Sequence, residues 1–403
     1  MENHGCKPLA KFKVLDLTNV LAGPFCCHQL AHMGAEVIKV EVPGIGDLAR
    51  QLGADPELNK AYMGVSFLAQ NAGKRSITIN LKSDEGKEVL RRLVAQSDVL
   101  VENFRPGVMD RLGVGYQQLL EHQPRLIYCA ISGFGQNGPL RHLPAYDQII
   151  QGMAGVMDIT GAPETAPYRV GYPISDTIGG ITAAFAIAGA LADNQRRDGY
   201  FIDVSMLEAT LATMGWAVSN YLNVNKKPQA MGNNNVTASP SGTFRTGDGL
   251  INIAANKQQQ FEATCHVLGQ PEWISDSRFS ERQARLQNRA DLTRLIEEQL
   301  AKNTTEYWWA QLVEAGVPSG PVYSVPQALA HPQIADYGMV ATFNQVPGVD
   351  RPVHIVRTGF KINGKTPEVS SPPPQLGEHS IEILQDLGMS AEEITKLQQV
   401  KAI

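Results

Sequence analysis

From residue 12 to residue 131 the chain alternates short apolar runs with single helical stretches. The runs are Val14–Leu17, Glu36–Glu41, Ser76–Asn80, Asp98–Glu102 and Leu126–Ile131. Strands separated by helices cannot pair as hairpins. They need crossovers, so the pattern predicts βαβ units and a mainly parallel sheet. Gly23-Pro24 opens one helical pattern, running to about Met33, and Ser83 caps an amphipathic one. Ligands of such sheets bind beyond the C-terminal ends of the strands. There the chain carries three unusual loops, Asn19–Pro24, Asn103–Gly107 and Ser132–Gly135.

A helical middle follows, from Tyr146 to about Met157 and again after Asp176. Phe201–Ser205 reads as a strand and Met206–Val224 as a helix. Composition changes at Asn225–Gln229, a hinge signal. Beyond it, Thr246-Gly247-Asp248-Gly249 between two apolar runs predicts a hairpin. Helices then extend to about Ala315, turns and strands occupy 319–360, and Ser371–Pro374 forms a stiff link into terminal helices.

Within Gly171–Gly180, Asp176 is the only acid between Glu164 and Asp193, and a small-residue helix follows it. Ser175 or Asp176 suits the N-cap of that helix. The helix dipole would keep a carboxylate there ionised. An ionised carboxylate at the mouth of a Gly/Ala helix is either a cap or a nucleophile.

Net charge is -5, which argues against a nucleic-acid partner. Anionic ligands must therefore meet local cations. Lys74, Arg75 and Lys82 flank one strand, and Arg105 and Arg111 follow another, a set suited to the phosphates of a nucleotide-like ligand. The five cysteines are odd in number and lack a C-x-x-C, so neither a disulfide framework nor a zinc site is expected. His28 and His32 have zinc-like spacing, but Gln29 replaces the glutamate of H-E-x-x-H and no third ligand is near, so packing is expected instead. Gly133-x-Gly135-x-x-Gly138 matches the dinucleotide fingerprint, yet a proline-bounded loop follows where a helix is required. Its amides remain candidates to face an anion or carbonyl. No G-x-S-x-G or Walker A motif occurs. No apolar leader is visible, and the helix after Asp176 is too short and too rich in Ala and Gly for a membrane span. A soluble, cytoplasmic protein without a membrane partner is expected.

Taken in order, Val14–Pro24, Gly34–Glu41, Lys74–Ile77, Val101–Gly107, Ser132–Pro139, Pro144–Asp147, Asp176–Gly180 and Leu376–His379 resemble the class III CoA-transferase (CaiB/BaiF) family over nearly the whole chain. The resemblance implies an α/β fold with a large Rossmann-like parallel-sheet domain formed by both chain ends and a smaller α+β domain. Residues 1–225 and 331–403 would form the large domain and 226–330 the small one. It also implies an interlocked homodimer. Asp176 becomes the expected nucleophile, forming an acyl anhydride and then an aspartyl-CoA thioester. Gly179 and Gly180 would leave room for the thioester. CoA is then a substrate, with no permanently bound cofactor and no metal.

By position, the family's CoA contacts fall on Leu21 and Ala22, on Asn80, Leu81 and Lys82, on Asn103, Phe104 and Arg105, on Arg111, and on Tyr146 and Asp147. Departures occur at Val42, sometimes an arginine, at Pro144, a lysine in formyl-CoA transferases, and in the missing Gly-rich loop of the formyl-CoA:oxalate enzymes. Ala254–Phe261 resembles the branch that moves CoA from succinyl-CoA to dicarboxylates. Two rivals are a 2-methylacyl-CoA racemase, which carries a histidine where this chain has Tyr146, and a non-catalytic acyl-CoA-binding protein, which has no need of Asp176.

Overall fold

Six strands lie parallel in the order β3-β2-β1-β4-β5-β6 in the computed structural model, which describes residues 7–403. They are β1 (Lys13–Asp16), β2 (Glu36–Glu41), β3 (Lys74–Thr78), β4 (Val99–Glu102), β5 (Ile127–Ser132) and β6 (Tyr200–Ser205). Side chains alternate between two faces, as the period of two requires. Val14, Val37, Val99, Val101 and Cys129 pack on one side with Cys26 and Leu30 of α1 (Ala22–His32). Leu15, Ile38, Leu100 and Tyr128 pack on the other with Val89, Leu90 and Leu93. Both faces are covered, which explains the nearly continuous apolar character of the strands.

The chain divides into two compact units. One takes in residues up to Val156, Arg169–Val224 and Pro332–Ile403. In it, Ile383, Leu384, Ile394 and Leu397 of the terminal helices complete the second sheet face. A two-stranded ribbon also belongs to this unit. The other unit comprises Met157–Tyr168 and Asn225–His331. Its antiparallel sheet joins β7 (Ser241–Arg245), β8 (Leu250–Ala254) and β9 (Ser319–Pro321), the first two through the turn at Thr246–Gly249. Phe244, Ile251, Phe261, Leu292, Trp308 and Leu312 form its core.

The helices that matter for the site are α2 (Asp147–Met153), α3 (Ile174–Ala192), α4 (Met206–Thr213) and α5 (Gly215–Val224). The helix expected over Met206–Val224 is thus two, broken at Gly215. At 19 residues α3 is long and apolar enough to cross a membrane by length and composition. In the fold it packs against α1, with Ala183 and Ile187 in the core. Two helices, Val325–Ala330 and Pro332–Tyr337, occupy a stretch expected to hold turns and strands. Their prolines sit in the first turn, where a missing N–H costs nothing.

Candidate active site

In this strand order the chain runs outward in opposite directions from β1 and β4, so a crevice opens beyond their C-terminal ends. One side-chain amide spans it. Asn103, after β4, accepts the Asn19 N–H at 2.8 Å and donates to the Asn19 carbonyl at 2.8 Å. Above this clamp lies a pocket of about 300 Å³. Asn19–Ala22, Asn103–Pro106, Ile131–Phe134, Leu143–Tyr146, Arg141, Met206 and Asp176 line it.

Asp176 is in the first turn of α3, but it does not cap the helix. That helix begins after Pro173, and no side chain of its own caps it. Asp147, at the start of α2, does so from outside. Its Oδ1 accepts the Ser175 N–H at 2.8 Å and the Asp176 N–H at 3.3 Å, and its Oδ2 accepts from Gln151 at 2.6 Å. The expected capping by Ser175 or Asp176 is therefore corrected, and the Asp176 carboxylate is left free for the pocket. Its ionisation differs as well. Burial, then the nearby Asp147 charge, pushes the Asp176 carboxyl up to about 7. Desolvation outweighs the helix dipole. A carboxylate that holds its proton this tightly is also a better nucleophile once ionised.

Gly179 and Gly180 are packed against protein. A Cβ on Gly180 would lie 2.5 Å from the Ala22 carbonyl oxygen, and one on Gly179 would lie 3.0 Å from Met206 Cγ. Their smallness lets α3 lie against α1 and α4. The Gln136 amide of the glycine loop is also committed, to both Asp203 carboxylate oxygens at 3.1 and 2.9 Å.

The expected phosphate cations split into two groups. Lys74 is fully buried, with Nζ 2.8 Å from Asp16, 2.8 Å from Asn71 Oδ1 and 3.0 Å from the Pro24 carbonyl. Arg75 is bound to Glu36, Glu382 and Asp386. Neither is open to a ligand. Lys82, Arg105 and Arg111 are exposed and form no ion pair among the described residues. Asn80, Leu81 and Lys82 follow β3 at the same edge of the sheet, where the Asn80 N–H binds the Ala402 carbonyl at 2.8 Å. They and Arg111 do not line the Asp176 pocket, whereas Leu21, Ala22, Asn103, Phe104, Arg105 and Tyr146 do. Asp147 is buried beside it.

The base of the crevice is charged and buried. Lys39 reaches Asp47 at 3.0 Å, and Glu41 binds Arg50 through both oxygens at 2.7 Å. Burial opposes ionisation of Asp16, but Lys39 and Lys74 overcome it and hold its carboxyl below the ordinary range. Glu102, by contrast, is raised to about 8 by burial and is mainly protonated at neutral pH. Its Oε2 accepts the Phe104 N–H at 2.7 Å and so shapes the loop carrying Arg105. His28 and His32 are buried and face each other at 3.1 Å, with His28 also on the Ala72 carbonyl.

In the sequence Ile131 reads as a strand end, Ser132–Phe134 as part of a loop and Met206 as a helix start, and neither Arg141 nor Leu143 stands out as a site residue. Met206 has no local signature. It enters the pocket because β6 lies beside β5.

The family model for CoA-transferase family III matches residues 9–380. The succinyl-CoA:glutarate CoA-transferase of Mus musculus is 36% identical over 385 residues, covering 94% of this chain and 86% of the relative. The acetyl-CoA:oxalate CoA-transferase of Acetobacter aceti is 40% identical over 359 residues, covering 88% and 91%. A crystal structure of a CaiB/BaiF family protein from Brucella suis superposes with a TM-score of 0.83 at 35% identity, covering 95% of this chain and all of the other. With its parallel sheet and its carboxylate set over the β1–β4 crevice, the chain belongs to CoA-transferase family III and is a CoA-transferase.

Proposed function

We propose that Asp176 is the nucleophile of a transfer of CoA from an acyl-CoA, succinyl-CoA above all, to a dicarboxylate. The observation that carries this reading is a free, half-buried carboxylate of raised pKa, aimed into a pocket at the sheet's ligand-binding edge. An Asp176 oxygen bonds to the thioester carbon, the C–S bond breaks, and CoA leaves as thiolate, giving a mixed anhydride. The thiolate then attacks the Asp176 carbonyl and expels the donor's acid. The acceptor carboxylate attacks the resulting aspartyl-CoA thioester. The released thiolate takes the acceptor's acyl group, which restores the Asp176 carboxylate. Water would hydrolyse every intermediate, so the apolar wall of Ile131, Phe134 and Met206 is part of the chemistry.

Leu21, Ala22, Asn103, Phe104, Arg105 and Tyr146 are proposed CoA contacts within the pocket, with Lys82 and Arg111 as exposed cations beyond it. Asp147 acts by holding the start of α3. A dicarboxylate acceptor is supported by the two relatives, whose named acceptors, glutarate and oxalate, both carry two carboxyl groups. Arg141 also lines the pocket and has no acidic partner among the described residues, which leaves a charge for the second carboxylate. Succinyl-CoA and acetyl-CoA, each offered with a set of mono- and dicarboxylic acids, test this by mass detection of the new acyl-CoA. Transfer to one or two dicarboxylates is expected. Transfer to monocarboxylates alone would sink the acceptor assignment.

We also propose a homodimer. Phe185 on α3 is 79% exposed, Trp216 and Leu222 on α5 are 86% and 73% exposed, and no residue of α5 is buried. Large apolar side chains left this exposed on two helices call for a partner surface. Light scattering should return twice the mass of one chain, and a monomer at micromolar concentration would refute it.

A further inference from the structure

Val20 is a β-branched residue at φ +68°, in the left-handed region that such residues avoid. Leu21 follows at φ -132°, ψ -65° and occupies the N-cap of α1, where leucine is a poor choice and provides no side-chain hydrogen bond. Two consecutive residues are thus in conformations their own chemistry disfavours. Strain of this kind persists only where the surroundings impose it.

The surroundings are specific. Asp47 Oδ1 accepts the Val20 N–H at 2.9 Å, and its Oδ2 lies 3.0 Å from Lys39 Nζ. Lys39 in turn donates to the Thr18 carbonyl at 2.8 Å, so one buried ion pair grips the loop on both sides of Asn19. Asn19 itself is clamped by Asn103 through both its N–H and its carbonyl. Beyond the strained pair, Gly23 is folded onto Thr18 so tightly that a Cβ would lie 2.3 Å from the threonine Cβ. The Ala22 carbonyl rests on Gly180, one helical turn after Asp176 and on the same face of α3. Contacts therefore run without a gap from Lys39 and Asp47 through Val20 and Ala22 to the helix that carries the carboxylate.

We propose that Val20 and Asp47 are positioning residues for the Asp176 reaction, the left-handed backbone of Val20 fixing Leu21 and Ala22 against α3. This rests on Asp176 being the nucleophile. Neither residue needs to touch the reacting atoms. Rigidity is what they supply, and it acts on the geometry of attack rather than on binding.

The test is Val20→Gly. Glycine adopts φ +68° without strain, so the fold should not weaken and Tm should stay equal or rise. The same freedom lets the loop leave its position. A fall in kcat of about tenfold or more is expected, with KM for donor and acceptor changed by less than about threefold. Val20→Asn keeps a Cβ and tolerates the left-handed region; although it changes a side chain that lines the pocket, it should keep clearly more kcat than Val20→Gly. The proposal is overturned if Val20→Gly turns over within about twofold of the wild type. It is equally overturned if Val20→Asn loses as much as Val20→Gly, since the valine side chain would then matter and not its backbone. The nucleophile reading fails separately, through an active Asp176→Asn enzyme, whatever the Val20 variants do.

Discussion

Asp176→Asn will lose CoA transfer by about 10³-fold or more while still binding CoA, because an amide can neither open the thioester nor form the anhydride. Loss of activity alone could reflect misfolding, so the pH dependence carries the finer prediction. In the wild-type enzyme kcat/KM should rise with pH through about 7 and level off above it, following deprotonation of Asp176. Stability should move the other way. The folded-state pKa of Asp176 is raised, so its ionised form is disfavoured in the native protein. The cost is absent below the unfolded value near 3.8, grows as pH rises, and is complete above about 7. Removing the charge should therefore make Asp176→Asn more stable than the wild type at pH 8, by up to about 4 kcal/mol, and no more stable at pH 4. Thermal unfolding of both proteins at the two pH values checks this. Equal Tm of the two proteins at pH 8 would refute the raised pKa of Asp176, and turnover of the variant within tenfold of the wild type would remove Asp176 from the reaction.

Lys74→Met is expected to be among the most destabilising single changes in the chain. Lys74 and Asp16 are both fully buried, 2.8 Å apart. Methionine fills most of the volume but leaves the Asp16 carboxylate with Lys39 at 4.0 Å as its remaining ion partner. Breaking one side of such a pair costs about 3–5 kcal/mol, enough for a fall of several degrees in Tm. Here too the sign with pH is diagnostic. In the wild type the Asp16 carboxyl is depressed, so its contribution is present above the unfolded pKa and disappears only as pH falls through the lower native value. In the variant the carboxyl is pushed up, and the deficit should be larger at pH 8 than at pH 5.5. The double variant Asp16→Asn, Lys74→Met should recover part of the loss. A deficit below about 1 kcal/mol, unchanged with pH, would mean that the pair carries no such weight.

The two residues also show how far local sequence reaches. Lys74 sits in a strand beside Arg75 and reads like a surface cation near a ligand edge. Its real partners, Asp16 and Asn71, come from separate elements. Nothing at positions 73–76 announces that a carboxylate 58 residues earlier has been buried against it. Asp176 is the reverse case. The glycine and proline context drew attention to it, and the ordered set of motifs around it pointed to its family, yet its cap and its ionisation were misjudged. The cap comes from Asp147, 29 residues earlier, and the ionisation from burial first and from Asp147 second.

Sequence alone determined what short-range chemistry determines. The apolar runs specified the strands, because strands separated by helical stretches must pair through crossovers, which admits few sheets; the number of helices in each crossover was not legible, since three of the five crossovers hold two or more. The turn at Thr246–Gly249 specified the hairpin of the second unit. The ordered motifs specified the family and Asp176 as the residue to test. Tertiary structure decided which glycines make room for helices and which lysines are buried. It decided that Asp147 caps α3, and that Val20 is held at a positive φ by Asp47. Each of these turns on desolvation or on a contact between distant segments, and both terms exist only after the sheet has brought those segments together.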